Sequence, residues 1–324
     1  MFAAEPDFSG SRRPTGGALL PKKKPIRGGI SMNFSSFCRP AVLEEKDEMP
    51  HRSIPDLFAV LDRIMRLCRD DGRKFVDTAR LDEIQRLVWN SRYRRVNPQG
   101  LFHLYAPRPL DRGNGPVVLV TSHVDCAEGI SRCFCEAAGD DLLRGTFDNA
   151  ATNAVAVSLM LAGALPDNVL VAFTGDEEED SRGVGQAVRF LRSGGIDIDL
   201  AVVLDVTDMG WDERAEFTIE NNFWDAARGR KVIERIGRLE SEWRFVPEDP
   251  EDVPTYVPPE RVIRQEAEPD ESWDLDELDV RCFSLCIPVR GDMHCDRGVL
   301  ARRASFAAYG AALEAVLGAG EGRG

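Results

Sequence analysis

The chain has 324 residues, of which 43% are hydrophobic and 30% charged, a composition typical of a globular protein. Its formal net charge is −14, which argues against a nucleic-acid partner because phosphate binding requires a basic surface. No apolar stretch approaches the roughly 20 residues that span a bilayer, and the N-terminus lacks the pattern of a secretory signal. The eight cysteines form no C-x-x-C pair. We therefore expect a cytoplasmic protein that does not interact with membranes.

The N-terminal part of the chain changes character near residue 50. Residues 1–50 are rich in Gly, Pro, Ser and charge without sustained periodicity, which predicts a disordered N-terminal extension. The pattern changes from Ile54, and apolar residues from Leu57 to Cys68 recur at helical spacing, which predicts a helix that stops at Asp71-Gly72. A second helix is predicted over residues 81–89, and a short strand over residues 101–105.

Strands and helices alternate along the rest of the chain. Continuous apolar runs predict buried strands, and longer apolar patterns between and after them predict helices. The strands are expected at 116–121, 168–174, 200–204 and 282–289, and the helices at 150–165, 183–192 and 299–317. This alternation predicts an α/β fold with a mostly parallel mixed central sheet and helices on both faces.

One segment interrupts the alternation. Residues 211–280 are rich in Pro and acidic side chains, with a candidate strand at 217–219 and a candidate helix at 224–239. We interpret the segment as an acidic insertion with a solvated surface. It would lie within a single domain, residues 51–324.

Five short blocks, each centred on a carboxylate or a histidine, follow the predicted strands or open a helix. They are Ser122-His123-Val124-Asp125, Thr146-Phe147-Asp148-Asn149, Asp176-Glu177-Glu178-Glu179, Leu204-Asp205-Val206-Thr207 and Asp292-Met293-His294. Open α/β sheets form their sites at the carboxyl ends of their strands, so we expect the blocks to meet there.

These residue types are the ones that hold a pair of divalent ions. Zinc accepts histidine nitrogen and carboxylate oxygen, and two ions about 3.5–4 Å apart favour a carboxylate that bridges them. A water between such ions ionises near neutral pH, and a nearby carboxylate accepts its proton. The parts required are two histidines, a bridging carboxylate, two more carboxylates and an unligated base, and the five blocks contain them all.

The blocks and their order resemble the zinc-dependent exopeptidase superfamily, the co-catalytic aminopeptidase and deacylase group. The resemblance spans roughly residues 100–318 without the insertion, and it implies a phosphorylase/hydrolase-like α/β core. It also implies two divalent metal ions, zinc being expected and cobalt or manganese being the alternatives. The implied substrate is a peptide or an acylated amino acid.

The resemblance assigns metal ligands by position. One ion would be held by His123, Asp148 and Asp205, and the other by Asp148, Glu178 and His294, so that Asp148 bridges the two. The assignment follows the family's order of motifs, in which the second glutamate of a Glu-Glu pair is a ligand.

Two further residues have implied roles in catalysis. Asp125, two residues after the first histidine, matches the acid that orients that histidine by accepting its ring N–H. Glu177, the first glutamate of the pair, matches the general base. The implied activity is cleavage of an amide or peptide bond, with an aminopeptidase as the first expectation.

The chain also departs from the family pattern. Only 22 residues separate Asp125 from Asp148, so the small β-domain that self-compartmentalising aminopeptidases insert there has no room. The oligomeric state is therefore left open. Ala151-Thr152 stands where many members have a small residue followed by glycine, which bears on substrate choice.

Several alternatives remain open at this point. The enzyme could be an N-deacylase or a carboxypeptidase of the same fold, or the chain could be a metal-binding scaffold without catalytic activity. Asp208 is a rival to Asp205 as a ligand, whereas Cys126 and Cys295 are interpreted as neutral thiols despite their proximity to proposed ligands. The two histidines outside the blocks, His51 and His103, are expected to be structural or surface residues.

Overall fold

Strands and helices alternate through most of the structure, a computed structural model that describes residues 56–65, 78–212, 214–221, 244–245 and 270–318. The helices are α1 (Leu57–Met65), α2 (Thr78–Val88), α3 (Ala150–Ala162), α4 (Arg182–Ser193), α5 (Glu271–Glu277) and α6 (Arg303–Leu317). The strands are β1 (Arg94–Arg95), β2 (Phe102–Ala106), β3 (Val117–His123), β4 (Cys135–Ala137), β5 (Leu142–Gly145), β6 (Val169–Thr174), β7 (Ile198–Thr207), β8 (Thr218–Glu220), β9 (Arg244–Phe245), β10 (Cys282–Arg290) and β11 (Val299–Arg302).

Four parallel strands form the centre of the sheet. The strand order is β1-β2-β6-β3-β7-β10-β11-β5-β4, with β8 paired to β10 and β9 paired to β8. Strands β6, β3, β7 and β10 run parallel, and the flanking pairs β2–β6, β10–β11, β11–β5 and β4–β5 are antiparallel. The predicted mixed central sheet is confirmed, with its parallel part concentrated where the apolar runs are continuous and buried on both faces.

Helices cover both faces of the sheet, as predicted. Helices α1, α2, α3 and α6 contribute to one apolar core, which includes Phe147, Phe306 and Tyr309. Helix α4 and helix α5 cover the opposite face, where Val184, Leu191 and Leu275 pack on the sheet. None of the described helices combines the length and the apolarity that crossing a membrane requires.

Two predicted helix boundaries are wrong: the helix expected at 150–165 ends at Ala162, followed by Gly163 in the left-handed conformation, and the last helix begins later than predicted. Residues 299–317 were expected to be helical throughout, but Val299–Arg302 forms strand β11 and the helix begins at Arg303. The reason is tertiary: β11 pairs with β10 on one side and with β5 on the other, and this pairing overrides the helical spacing of the apolar residues. The β4–β5 hairpin, which occupies much of the interval 126–147, was not predicted.

The acidic segment is partly helical where it is described. Strand β8 matches the candidate strand at 217–219 to within one residue, and helix α5 lies at the C-terminal end of the segment. The candidate helix at 224–239 and the extension at 1–50 lie outside the described residues. The domain boundaries proposed from the sequence therefore stay predictions.

Close backbone contact at Gly183 joins helix α4 to the end of strand β6. A Cβ added there would lie 2.3 Å from the carbonyl oxygen of Gly175 and 2.7 Å from that of Leu101. We expect Gly183→Ala to lower the free energy of unfolding by about 1–3 kcal/mol, because the backbone must move to accept the methyl group. Urea denaturation measures this. Gly113→Ala, where the nearest atom is 3.6 Å away, is the matched control, and equal losses in the two variants would contradict the account.

Candidate metal centre

Four of the five blocks lie at or directly after the carboxyl ends of the four parallel strands, and the fifth, which contains Asp148, directly precedes helix α3. His123 ends β3, and Thr174 at the end of β6 is its register partner. On the other side of β3, strand β7 carries Asp205 near its end, and Asp205 pairs with Cys286 of β10. His294 follows β10. This edge of the sheet is the one that open α/β folds use for their sites.

Polar side chains in the first turns of α3 fix the position of Asp148. Asn149 and Asn153 are fully buried; the first donates a hydrogen bond to the carbonyl of Leu204 (2.6 Å) and the second to the carbonyl of His123 (2.9 Å). The hydroxyl groups of Thr152 and Ser122 form a hydrogen bond of 2.9 Å. These bonds tie the start of α3 to the ends of both β3 and β7. Asp148, directly before the helix, is thereby held between the two strands.

Asp148 lies between the two histidines. Its Oδ1 is 3.0 Å from His123 Nε2, and its Oδ2 is 3.5 Å from His294 Nε2. Each carboxylate oxygen thus faces a different ring nitrogen. A carboxylate that bridges two metal ions requires this arrangement.

The remaining carboxylates of the blocks surround the same space. Asp205 Oδ1 lies 3.7 Å and Glu177 Oε2 lies 3.8 Å from His123 Nε2. Glu178 Oε2 lies 3.6 Å from His294 Nε2.

Three groups of side chains could hold a metal ion in the part of the chain that the structure describes. They are His123-Asp148-Asp205, Asp148-Glu178-His294 and His123-Glu177-Glu178, each with candidate ligand atoms within 4.8 Å of one another. The first two coincide with the two ligand sets that the resemblance implies. The third group includes Glu177. Proximity alone therefore does not show whether Glu177 is a metal ligand or the general base.

Asp125 is buried beneath His123. Its Oδ1 lies 3.5 Å from His123 Nδ1, the nitrogen that faces away from Asp148. Its other oxygen accepts a hydrogen bond of 3.2 Å from the backbone N–H of Glu178. Asp125 therefore connects the first histidine to the loop that carries the glutamate pair.

The site concentrates negative charge, and its pKa values reflect this. Burial, reinforced by neighbouring carboxylates, raises the pKa of Glu177 well above its ordinary value, that of Glu178 to about 8 and that of Asp205 to about 6. Burial alone would lower the pKa of His123, but Glu177 and the other nearby carboxylates raise it well above its usual range.

Two buried carboxylate oxygens of the metal-holding groups, Asp148 Oδ1 and Glu178 Oε1, have no hydrogen-bond partner among the described residues. His123 Nδ1 and Asp125 Oδ1 also have none, but they face each other at 3.5 Å on the other side of the histidine ring. Buried polar atoms are normally paired, and carboxylate oxygen is a ligand that zinc binds. The two carboxylate oxygens therefore fit a divalent ion.

Other candidates from the sequence lie apart from these groups. Asp208 is exposed, and it belongs to none of the metal-holding groups found among the described residues. Cys126 packs beside Cys133 and Arg80, and Cys295 Sγ donates to the carbonyl of Asp292. His103 is buried beside Tyr105, and burial lowers its pKa to about 4, which fits a structural role. His51 lies outside the described residues.

Glu271 is a buried carboxyl near the site that the sequence interpretation missed. It belongs to the acidic segment, which was expected to be solvated, yet it is only 1% exposed. Burial raises its pKa to about 7, while the facing hydroxyls of Thr174 and Thr121 lower it. The signal that could have identified helix α5 is Leu275, an apolar residue among acidic ones that is completely buried.

Solved structures share this fold over most of the chain. An aminopeptidase from the archaeon Desulfurococcus kamchatkensis aligns with 81% of this chain and over 94% of its own length, at 10% identity and a TM-score of 0.57. The TET aminopeptidase of a marine sediment archaeon, Thaumarchaeota archaeon SCGC AB-539-E09, aligns with 81% of this chain and over 95% of its own length, at 10% identity and a TM-score of 0.58. The LapA aminopeptidase of Legionella pneumophila aligns with 88% of this chain and over 80% of its own length, at 12% identity and a TM-score of 0.52.

At identities of 10–12%, this likeness shows that the chain shares the α/β fold of these structures. It does not transfer their activities or substrates. No family model matches the chain, and no curated protein matches it.

Binding of a divalent ion at these groups should release protons at pH 7. Glu178 and His294, with pKa values of about 8 and about 9 in the metal-free protein, hold a proton at that pH and must lose it to become ligands. We expect the release to decrease as the pH rises past about 9. Calorimetric zinc titration in buffers of different ionisation enthalpy measures it. Binding without proton release at pH 7 would contradict these protonation states.

Proposed function

We propose that the chain is a two-metal hydrolase of amide or peptide bonds, and specifically an aminopeptidase. The observation that carries the proposal is the position of Asp148, whose two oxygen atoms face His123 and His294 separately. His123, Asp148 and Asp205 would hold one ion, and Asp148, Glu178 and His294 the other. Zinc is the expected metal because histidine and carboxylate are its ligands, and cobalt or manganese are the alternatives.

The ions, when bound, would polarise the scissile carbonyl and make a water molecule acidic enough to react near neutral pH. The chain's own residues must then handle the proton. Glu177 lies 3.8 Å from His123 Nε2 on the same side as Asp148, and its carboxylate would accept the water's proton and deliver it to the nitrogen of the leaving amine. Burial raises the pKa of Glu177 above its ordinary value, which favours uptake of a proton by this carboxylate.

Asp125 would act on the orientation of His123. It lies at the Nδ1 side of the ring, so that accepting the Nδ1–H leaves Nε2 free to bind metal. Since Asp125 also accepts the N–H of Glu178, it would keep the histidine and the glutamate pair in a fixed relation.

The choice of an aminopeptidase is supported by the solved structures that share the fold, several of which are aminopeptidases. The carboxylates around the site are the candidate metal ligands and base, so their charge does not decide between substrates. An N-deacylase or carboxypeptidase of the same fold is the second candidate. Cytoplasmic location and oligomeric state stay outside the proposal.

Removing the base should separate catalysis from metal binding. We expect Glu177→Gln to lower turnover by about 10²- to 10⁴-fold, since proton transfer by a positioned base contributes that much. Metal content should stay at the wild-type level. Initial rates and elemental analysis on the same preparations measure both quantities.

Glu179→Gln is the matched control, because Glu179 is an exposed neighbour in the same acidic run. It should keep full activity. If Glu177→Gln retains turnover, or loses metal, the assigned base is wrong. Metal binding without hydrolysis of any tested amide by the wild type would favour a scaffold.

The substrate class can be tested by blocking one terminus at a time. We expect hydrolysis of aminoacyl anilides and of peptides with an amidated C-terminus, and loss of hydrolysis when the α-amino group is acetylated. The reason is that an aminopeptidase acts on a substrate with a free α-amino group. Hydrolysis of acetylated amino acids instead would indicate an N-deacylase, and a requirement for a free C-terminal carboxylate would indicate a carboxypeptidase.

A further inference from the structure

His294 differs from the other candidate ligands in how it is held. Its side chain is 55% exposed, whereas those of Asp148 and Glu178, its partners in the second metal-holding group, are 11% and 8% exposed. It also lies in a loop, residues 291–298, which we call the His294 loop. Packing around the ring therefore contributes little to its position, and the backbone of the loop must define it.

A carboxylate fixes this loop to the loop that follows the first histidine. Residues 124–134, the β3–β4 loop, begin directly after His123. Asp296 accepts a hydrogen bond of 2.6 Å from the backbone N–H of Ser131, another from the Ser131 hydroxyl, and one of 3.3 Å from the backbone N–H of Arg132. Hydrogen bonds to an ionised acceptor are stronger than those between neutral groups. These three hydrogen bonds therefore hold the two loops together.

A glycine in the β3–β4 loop makes a second contact, at His294 itself. A Cβ added to Gly129 would lie 2.3 Å from the carbonyl oxygen of His294. Real Cβ atoms do not approach a carbonyl so closely, so only glycine permits the two backbones to pack in this way. The contact at residue 294 and the bonds at residue 296 lie on the same loop, two residues apart.

From these contacts we propose that Gly129, Ser131 and Asp296 are positioning residues for His294. They connect the backbone of the second histidine to the loop that begins at the first, and so set the distance between the two metal-holding groups. The inference rests on the proposed two-metal function. The β3–β4 loop and the His294 loop would thereby control the affinity for one ion, the one that His294 would bind.

The test is stepwise zinc binding to the metal-free full-length chain, measured by calorimetry and chelator competition. We expect Asp296→Ala and Gly129→Ala each to weaken the second ion by about 10- to 100-fold, the usual effect of losing a group that orients a ligand. The first ion should bind as in the wild type. The controls are Asp140→Ala, which removes an exposed carboxylate from the β4–β5 turn, and Gly113→Ala, and both should bind two ions normally.

Asp296→Asn distinguishes positioning from charge. Its amide oxygen can still accept from Ser131, so we expect it to recover most of the affinity lost in Asp296→Ala, and an equal loss in both would overturn the positioning role. If Gly129→Ala fails to fold, as the melting of the metal-free protein would reveal, Asp296→Ala and Asp296→Asn decide. If Asp296→Ala and Asp296→Asn both bind the two ions with wild-type affinity, the positioning role is overturned and the proposed function still stands. A wild-type chain that binds fewer than two ions would overturn the proposed function, and this inference with it.

Discussion

Repulsion among carboxylates that share one buried space is the constraint on which the candidate site depends. The carboxylates are Asp125, Asp148, Glu177, Glu178 and Asp205, and all lie within the region around His123. Ionised groups this close repel one another strongly when water is excluded, so in the metal-free protein some of them hold protons. Two divalent ions would remove the repulsion and replace those protons.

The fold must hold these carboxylates close together despite their repulsion. It does so largely by placing them at the carboxyl ends of the parallel strands. The β3, β6 and β7 strands are apolar and buried, and they place one acidic block each at a common edge. Asn149 and Asn153 then attach helix α3 to two of these strand ends. Side chains supported by helices and strands are held more precisely than those on loops, which a site with closely spaced like charges requires.

Much of this arrangement could be predicted from the sequence because its signals are local. A continuous apolar run such as residues 168–174 specifies a buried strand, and the polar residues that follow it must then lie at the sheet edge. Strand β11 and buried Glu271 could not be predicted in the same way. Residues 299–302 form a strand because they pair with β10 and β5. Glu271 is buried because helix α5 packs on the sheet. Both features depend on contacts with parts of the chain that are distant in sequence. The separation of a base from a ligand within the Glu177-Glu178 pair likewise came from the order of the motifs and not from proximity.

Metal content tests most directly the proposal that Asp148 would bridge two divalent ions. Elemental analysis would be made on the wild-type chain and on His294→Ala, both purified without chelator and supplied with zinc. The account predicts about two ions per wild-type chain and about one in the variant, because His294 belongs to only one of the two ligand groups. A wild-type chain that binds no zinc, cobalt or manganese, or a variant that keeps both ions, would contradict it.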